Sequence, residues 1–224
     1  GAVLAQRYEL ERLLGAGAAG GVFRAKDRVS DDVVAVKVLR AGLVRTSLSF
    51  RGELATLWRA RLPGVVEILD DGEHGEHAFF VLSLVDGAPF PGPSAGDWDA
   101  LAETVLALTE ALDRLHWTGI VHRDLKPDNV LVDAHGRPTI TDLGIAWDPA
   151  WRDQGAGPMA GTPNYMAPEL FEGAEPDVRS DLYSLGVMLF QALAGRRPHL
   201  GSSLLALIDE RRAHDAPRLA AVAS

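Results

Sequence analysis

Apolar and polar positions alternate along the first third of the chain, which is the pattern of strands in a half-buried sheet. Strands are predicted at residues 8–14, 21–25, 33–39, 65–69 and 77–85. The last two strands are expected to form a hairpin whose turn is Asp70-Asp71-Gly72, because these residue types favour tight turns. The pattern therefore predicts an antiparallel sheet of five strands.

The spacing of apolar residues changes to a helical period at residues 50–62, where Pro63-Gly64 ends the predicted helix. A connector rich in Gly and Pro follows at residues 86–96. Beyond it, helices are predicted at 98–115, 181–194 and 202–212, and short strands at 130–133 and 138–141. We therefore expect an α+β fold with two parts: residues 1–86 with the sheet and one helix, and residues 87–224, which are mainly helical.

Composition excludes several classes of protein. The chain is 47% hydrophobic and 24% charged, which is typical of soluble globular domains. Its net charge is -9 and it has no long basic stretch, so a nucleic-acid partner is not expected. It has no cysteine, which excludes disulfides and thiolate zinc sites. No apolar run has the length of a membrane span, and the N-terminus shows no signal peptide.

Three glycines form a G-x-G-x-x-G motif at Gly15, Gly17 and Gly20, followed by Val22. Such glycines either make turns or let backbone N–H groups approach a phosphate closely. A dinucleotide-binding motif requires a helix directly after the glycines, whereas here a strand follows. The context therefore excludes a dinucleotide-dependent oxidoreductase and favours a glycine-rich flap between two strands.

Lys37 is a single lysine in an otherwise apolar strand. It is either a gatekeeper on an edge strand or an inward-pointing phosphate ligand, which requires a partner of opposite charge. Glu53, on the predicted helix, is a candidate for that partner, although a glutamate at such a position is also consistent with a solvated helix face.

The segment 122–129, HRDLKPDN, carries the strongest chemical signal, because it puts three functional side chains into one loop. Asp124 can accept a hydroxyl proton, Lys126 can neutralise a transferring phosphoryl group, and Asn129 offers a neutral oxygen to Mg²⁺. Asp142, which ends the last short strand, can also bind Mg²⁺, or it can belong to a simple turn with Leu143 and Gly144.

In order and spacing, these motifs resemble those of eukaryotic-like protein kinases, in particular the bacterial serine/threonine type. The resemblance implies a two-lobed fold, with ATP bound beneath the glycine-rich flap and Lys37 paired with Glu53. It makes Asp124 the catalytic base. The implied Mg²⁺ ligands are Asn129 and Asp142.

The same resemblance assigns the nucleotide pocket. Val22, Ala35 and Leu131 are implied to enclose the adenine, Leu82 to be the gatekeeper, and residues Ser83 to Val85 to be the hinge. Asp181 is implied to hold the backbone of the catalytic loop, although by itself it is also consistent with a helix N-cap. Lys126 and Thr162 resemble the serine/threonine branch of the family.

The chain departs from the family pattern in two places. Residues 146–161 contain no Ser, Thr or Tyr, so we expect control by a fused regulatory domain or a dimer contact in place of phosphorylation there. The family also implies later helices, one of which supplies an arginine to Glu169. Residues 213–224 show no such segment, so we expect an incomplete C-lobe.

We therefore expect a cytoplasmic, ATP- and Mg²⁺-dependent kinase that acts on Ser/Thr hydroxyls of proteins. Two alternatives stay open on the residues. A kinase-like scaffold would act through protein contacts, and a phosphotransferase of related fold would act on a small molecule. The block from Gly161 to Glu169 favours a protein acceptor over a small one, because it resembles the segment that holds such acceptors.

Overall fold

The computed structural model describes residues 2–17, 20–40, 61–143 and 163–222, which form two compact units, Gly1–Asp86 and Gly87–Ser224. The first unit is an antiparallel sheet and the second is mainly helical, so the expected α+β class is confirmed. The predicted helix at 50–62, including Glu53, lies outside the described residues.

Six strands form the sheet in the described part of the first unit. They are β1 (Val3–Leu4), β2 (Tyr8–Gly17), β3 (Gly20–Asp27), β4 (Val33–Leu39), β5 (Ile68–His74) and β6 (His77–Ser83). Their order is β1-β2-β3-β4-β6-β5, and every neighbouring pair is antiparallel. Strand β1 adds a sixth strand to the five predicted, because two residues are too short to show an alternating pattern.

One face of this sheet is an apolar core. Its buried members are Leu4, Tyr8, Ala25, Val34, Val36, Phe79 and Val81. Tyr8 and Phe79 meet edge to face, with ring centroids 5.9 Å apart. Burial of each large side chain stabilises the unit by about 1.5–3 kcal/mol. Side chains of successive strand residues point to opposite faces, so Ala35 and Lys37 lie on the other face of β4.

The hairpin of β5 and β6 turns later than the sequence predicts. The turn lies at Gly75 (φ +62°), and Asp70-Asp71-Gly72 belongs to β5. Asp70 is held in the strand because its Oδ2 accepts hydrogen bonds from Arg7 and from the Tyr8 hydroxyl. At Gly72, a Cβ atom would come within 2.7 Å of the Phe79 ring. Tertiary contacts thus override the local turn preference of these residues.

A bidentate ion pair lies beside the core residue Tyr8, where the start of β2 pairs with the end of β3. Arg7 Nε and Nη2 donate to the two carboxylate oxygens of Asp27 at 2.9 and 2.7 Å, and Asp27 also accepts from the Val29 N–H. The Asp27 side chain is only 6% exposed. The hydrogen bonds from Arg7 hold the pKa of this carboxyl well below its usual range.

The described residues of the second unit include four helices: α1 (Trp98–Trp117), α2 (Pro168–Phe171), α3 (Val178–Ala194) and α4 (Leu204–Ala213). A small antiparallel sheet joins β7 (Ala88–Pro89), β8 (Val130–Val132) and β9 (Pro138–Ile140) in that order. Helix α1 has an apolar stripe that is buried at Leu101, Leu108, Leu112 and Leu115. No helix in the described ranges is long and apolar enough to cross a membrane.

Helix α3 begins earlier than the sequence predicts. Its N-cap is Asp177, which forms a capping box with Ser180, and its C-cap is Gly195 in the left-handed conformation. Asp181 therefore lies inside the helix, where it is 1% exposed. The interpretation of Asp181 as an N-cap is wrong, and its carboxylate is available for another role.

The Asp27–Arg7 pair makes the stability of the first unit depend on pH. A carboxyl whose pKa is lower in the folded state stabilises the fold above its unfolded pKa, about 3.9, and this stabilisation is lost as the pH falls below that value. We expect Asp27→Asn to unfold more easily at pH 7 and to show a smaller further loss between about pH 5 and pH 2. Urea unfolding at several pH values measures both effects.

Asp71→Asn is the matched control, because Asp71 is exposed on the same sheet. It should follow the pH dependence of the unsubstituted chain. Equal acid sensitivity in Asp27→Asn and the unsubstituted chain would contradict the assignment.

Candidate functional site

The glycine motif forms the end of the hairpin of β2 and β3, where Gly17 pairs with Gly20. Gly20 has φ +148°, and a Cβ atom there would lie 2.0 Å from the Val38 carbonyl oxygen. Only glycine fits this position, because any side chain would meet backbone. An added Cβ at Gly15 or Gly17 would meet nothing within 4 Å, so these two residues leave open space at the hairpin.

Lys37 lies on an interior strand, since β4 runs between β3 and β6. The edge-gatekeeper interpretation of Lys37 is therefore wrong. Lys37 pairs with Val22 on one side and Phe80 on the other, and Ala35 pairs with Leu82. Paired residues in antiparallel strands share a face of the sheet. The register thus brings Val22, Ala35, Lys37 and Leu82 together on the face opposite the apolar core.

The remaining predicted nucleotide residues are placed differently. Ser83 pairs with Val34 and so faces the core side, where its Oγ accepts the Glu67 N–H at 3.2 Å. Val85 follows β6 and is half-buried. Leu131 lies on β8 of the second unit, also half-buried. Ser83 therefore has its backbone, and not its hydroxyl, to offer to a ligand on the opposite face.

Asp124, Lys126 and Asn129 meet in one cluster on the loop between α1 and β8. Lys126 Nζ lies 2.9 Å from Asp124 Oδ2. Asn129 Nδ2 donates to the Asp124 carbonyl oxygen at 2.7 Å and reaches its Oδ2 at 3.2 Å. Asn129 is 4% exposed, whereas about a quarter of the Asp124 side chain is exposed. A buried amide and an ammonium group thus orient a carboxylate that solvent can reach.

The buried Asp181 carboxylate fixes the start of this loop. It accepts the His122 N–H at 2.7 Å, the Arg123 N–H at 2.9 Å and a hydrogen bond from His116 Nε2 at 2.8 Å. Arg123 has φ +71°, an unfavourable value for a side-chain-bearing residue. Bonds to the carboxylate hold this conformation, as the resemblance implies for Asp181.

His116, whose ring donates a hydrogen bond to the Asp181 carboxylate, was not predicted from the sequence. It lies in the last turn of α1, where a histidine is also consistent with a simple charge effect at a helix C-terminus. Its partner Asp181 lies on another helix, far along the chain. Only its place beside the apolar stripe of α1 pointed to burial.

Asn129 and Asp142 are brought to the same end of the hairpin formed by β8 and β9. Val130 pairs with Ile140, and the Thr141 N–H donates to the Asn129 carbonyl oxygen at 2.8 Å. Asn129 therefore precedes one strand, and Asp142 follows its partner. Gly144, the last residue of the predicted turn, lies outside the described residues, as does Thr162.

These donors fit Mg²⁺ better than a transition metal. An amide and a carboxylate supply hard oxygen ligands, and Mg²⁺ commonly keeps waters and takes substrate phosphates for its other positions. The described part of the chain holds no cluster of three or more His, Cys, Asp or Glu residues suited to a metal ion.

Comparison with known proteins places this geometry in a family. The protein kinase domain matches residues 8–215, which is nearly the whole chain. The chain belongs to the protein kinase family. The membership inferred from the sequence motifs is thus confirmed.

Several bacterial members of the protein kinase family are similar to the chain. The DNA damage-responsive serine/threonine-protein kinase RqkA of Deinococcus radiodurans is 41% identical over 220 residues, covering 91% of this chain and 32% of that protein. Pkn3 of Myxococcus xanthus is 33% identical over 97% of the chain and 43% of its own length. PknA of Mycobacterium tuberculosis is 37% identical over 92% and 51%. The chain thus spans about a third to a half of these relatives.

The Gly20 geometry predicts a sharp difference between glycines of one hairpin. Gly20→Ala should destabilise the chain by about 2 kcal/mol or more, because the new Cβ overlaps the Val38 carbonyl oxygen and the φ angle becomes strained. Gly17→Ala is the control and should change stability little. Urea unfolding of both variants measures the difference, and equal midpoints would contradict the prediction.

The Asp181 contacts predict a specific loss of order in the catalytic loop. In Asp181→Asn one carboxylate oxygen becomes an NH₂ group facing N–H donors, which should cost about 1–3 kcal/mol. The His122 and Arg123 amides should also exchange hydrogen faster. Asp177→Asn on the same helix is the control, because asparagine caps a helix as well as aspartate. Unchanged exchange at residues 122–123 would refute the role of Asp181.

Proposed function

We propose that the chain is an ATP- and Mg²⁺-dependent protein kinase that transfers the γ-phosphoryl group to serine or threonine hydroxyls. The observation that carries this proposal is the Asp124 cluster, in which Lys126 and Asn129 contact one carboxylate oxygen. A structural loop has no need of an accessible carboxylate held so closely by an ammonium group and a buried amide.

Asp124 is the proposed base of the transfer. The acceptor hydroxyl oxygen forms a bond to the γ-phosphorus, the bond from that phosphorus to the β-phosphate oxygen breaks, and ADP leaves. The hydroxyl proton passes to the Asp124 carboxylate. Lys126 offsets negative charge on the phosphoryl oxygens, since its ammonium group lies 2.9 Å from Asp124. Such a transition state needs positioning and charge more than strong basicity.

The first unit, residues 1–86, is the proposed nucleotide-binding part. Its support is the shared face of Val22, Ala35, Lys37 and Leu82 next to the glycine hairpin. We assign adenine contact to the apolar members, together with Leu131 and the backbone from Ser83 to Val85. Lys37 is assigned the α- and β-phosphates, and its proposed partner is Glu53.

The second unit, residues 87–224, is the proposed catalytic part. Asn129 and Asp142 are its proposed Mg²⁺ ligands, because both end on one side of the hairpin of β8 and β9. Mg²⁺, when bound, neutralises charge on the phosphates of the nucleotide. The residues of the chain supply two oxygens and hold them in place through the hairpin.

The acceptor class and setting of the enzyme are also part of the proposal. The curated relatives described above are named serine/threonine kinases, which agrees with Lys126 at its position in the loop. We therefore expect protein acceptors with Ser or Thr in the bacterial cytoplasm, where ATP is available. The relatives are two to three times longer than the chain, which supports control by a fused domain. A dimer contact is the other proposed route of control.

Phosphate transfer to a dephosphorylated casein acceptor in Mg²⁺-ATP tests the proposal. We expect phosphoserine or phosphothreonine in the acceptor. Asp124→Asn should lower kcat by a factor on the order of 10²–10⁴, since the proton then has no carboxylate to accept it. Asp113→Asn is the matched control, because Asp113 is an exposed carboxylate on α1.

Two results would contradict the proposal. Transfer that is equally fast in Asp124→Asn would remove Asp124 from the mechanism. Nucleotide binding by the chain with no transfer to casein or to itself would favour the scaffold function instead.

A further inference from the structure

The three successive backbone carbonyl groups of residues 164–166 each accept a hydrogen bond from a side chain. Two of these bonds come from α4 and one comes from α3. Arg211 of α4 donates from Nη2 to the Asn164 oxygen at 2.6 Å and from Nη1 to the Met166 oxygen at 2.5 Å. Ser184 of α3 donates to the Tyr165 oxygen between them at 2.8 Å. The path of this short segment is therefore fixed by side chains rather than by its own secondary structure.

The Arg211 guanidinium lies in an aromatic setting that suits a fixed cation. Its central carbon is 5.4 Å from the ring centroid of Phe171 and 5.6 Å from that of Tyr183. Arg211 is half-buried, and burial lowers its pKa. Because a partly buried charge is costly without hydrogen bonds, the two carbonyl contacts are what make this placement favourable.

Contacts with residues 200–203 hold the helix that carries Arg211, α4. Ser203 caps the helix by accepting the Ala206 N–H, and Glu210 Oε2 accepts the Leu200 N–H at 2.9 Å. Gly201 lies so close to the backbone of α4 that a Cβ atom on it would be 2.3 Å from the Leu207 nitrogen. These contacts hold α4 against the segment that precedes it.

Helix α3 links the segment held by Arg211 to the catalytic loop. Ser184 binds the Tyr165 carbonyl oxygen, and Asp181, three residues earlier on the same face of α3, accepts two N–H groups at the start of the catalytic loop. The Tyr165 hydroxyl is fixed by donation to Gln191 Oε1 at 2.7 Å. Helix α3 thus fixes both the start of the catalytic loop and the wall formed by residues 164–166.

We infer that Arg211 is a positioning residue for the protein acceptor: by gripping the 164 and 166 carbonyl groups, it fixes the wall against which the Ser/Thr-bearing peptide lies. This inference rests on the proposed kinase function. It differs from the arginine–Glu169 pairing that the family resemblance implies, because Arg211 contacts backbone oxygens and comes from α4. A displacement of about 1 Å of such a wall can cost about 10²-fold in rate.

Steady-state kinetics with separate variation of ATP and casein test the inference in the 224-residue chain. Arg211→Gln should lower kcat/KM for casein by about tenfold or more and leave KM for ATP within about twofold. Amides of residues 163–171 should exchange hydrogen faster. Arg212→Gln is the matched control, because the neighbouring Arg212 is exposed and pairs with the exposed Glu172 at 3.3 Å, a type of contact that contributes little.

Arg211→Lys guards against a variant that simply fails to fold. Lysine keeps the charge beside Phe171 and Tyr183 but cannot bridge two carbonyl groups with a planar fork. We expect it to restore the melting temperature and to leave most of the loss in kcat/KM for casein. Full recovery of that parameter by lysine would overturn the inference, since charge alone would then suffice.

The other outcomes separate the inference from the proposed function. If Arg211→Gln lowered kcat/KM for ATP and for casein equally, Arg211 would have a general structural role, and the positioning role would be overturned. Transfer and hydrogen exchange that match those of Arg212→Gln would overturn it as well. Absence of transfer by the unsubstituted chain would instead overturn the kinase function, and the acceptor role of Arg211 with it.

Discussion

One buried carboxylate organises the second unit. Asp181 is 1% exposed, and its two oxygens accept hydrogen bonds from α1 and from two successive backbone N–H groups of the catalytic loop. An ionised carboxylate is costly in such a place unless it is fully bonded, so the helix and the loop must keep their relative positions. The left-handed backbone at Arg123, and through it the placement of Asp124, depends on this constraint.

The sequence predicts those parts of the fold that local patterns determine. Alternation locates β2, β3, β4 and β6, and the apolar stripe locates α1. Prediction from the sequence fails where a contact with a residue far away in the chain determines the local structure. Asp70 and Gly72 have the residue types of a turn, yet Arg7, Tyr8 and the Phe79 ring hold them in a strand. Asp181 resembles an N-cap until Asp177 is seen to fill that place.

The candidate site shows the same division. Spacing alone brings Asp124, Lys126 and Asn129 into one loop, because they are near in sequence, and the structure adds only their hydrogen bonds. Lys37 needs the strand order before its edge or interior position is known. The roles of His116 and Arg211 could not be predicted from the sequence, because neither belongs to a motif and each contacts a group far away in the chain. His116 binds the Asp181 carboxylate, and Arg211 binds the Met166 carbonyl oxygen.

The two units hold their proposed functional residues in position by different kinds of contact. In the first, regular strand pairing sets the positions of Val22 and Lys37, and the bidentate Arg7–Asp27 pair lies where the start of β2 pairs with the end of β3. In the second, the chemically active loop and the wall formed by residues 164–166 are irregular backbone, which has few hydrogen-bond partners of its own. Side chains from α3 and α4 supply those partners. Catalytic geometry here is therefore as sensitive to remote donors and acceptors, such as Asp181 and Arg211, as to the residues that meet the substrate.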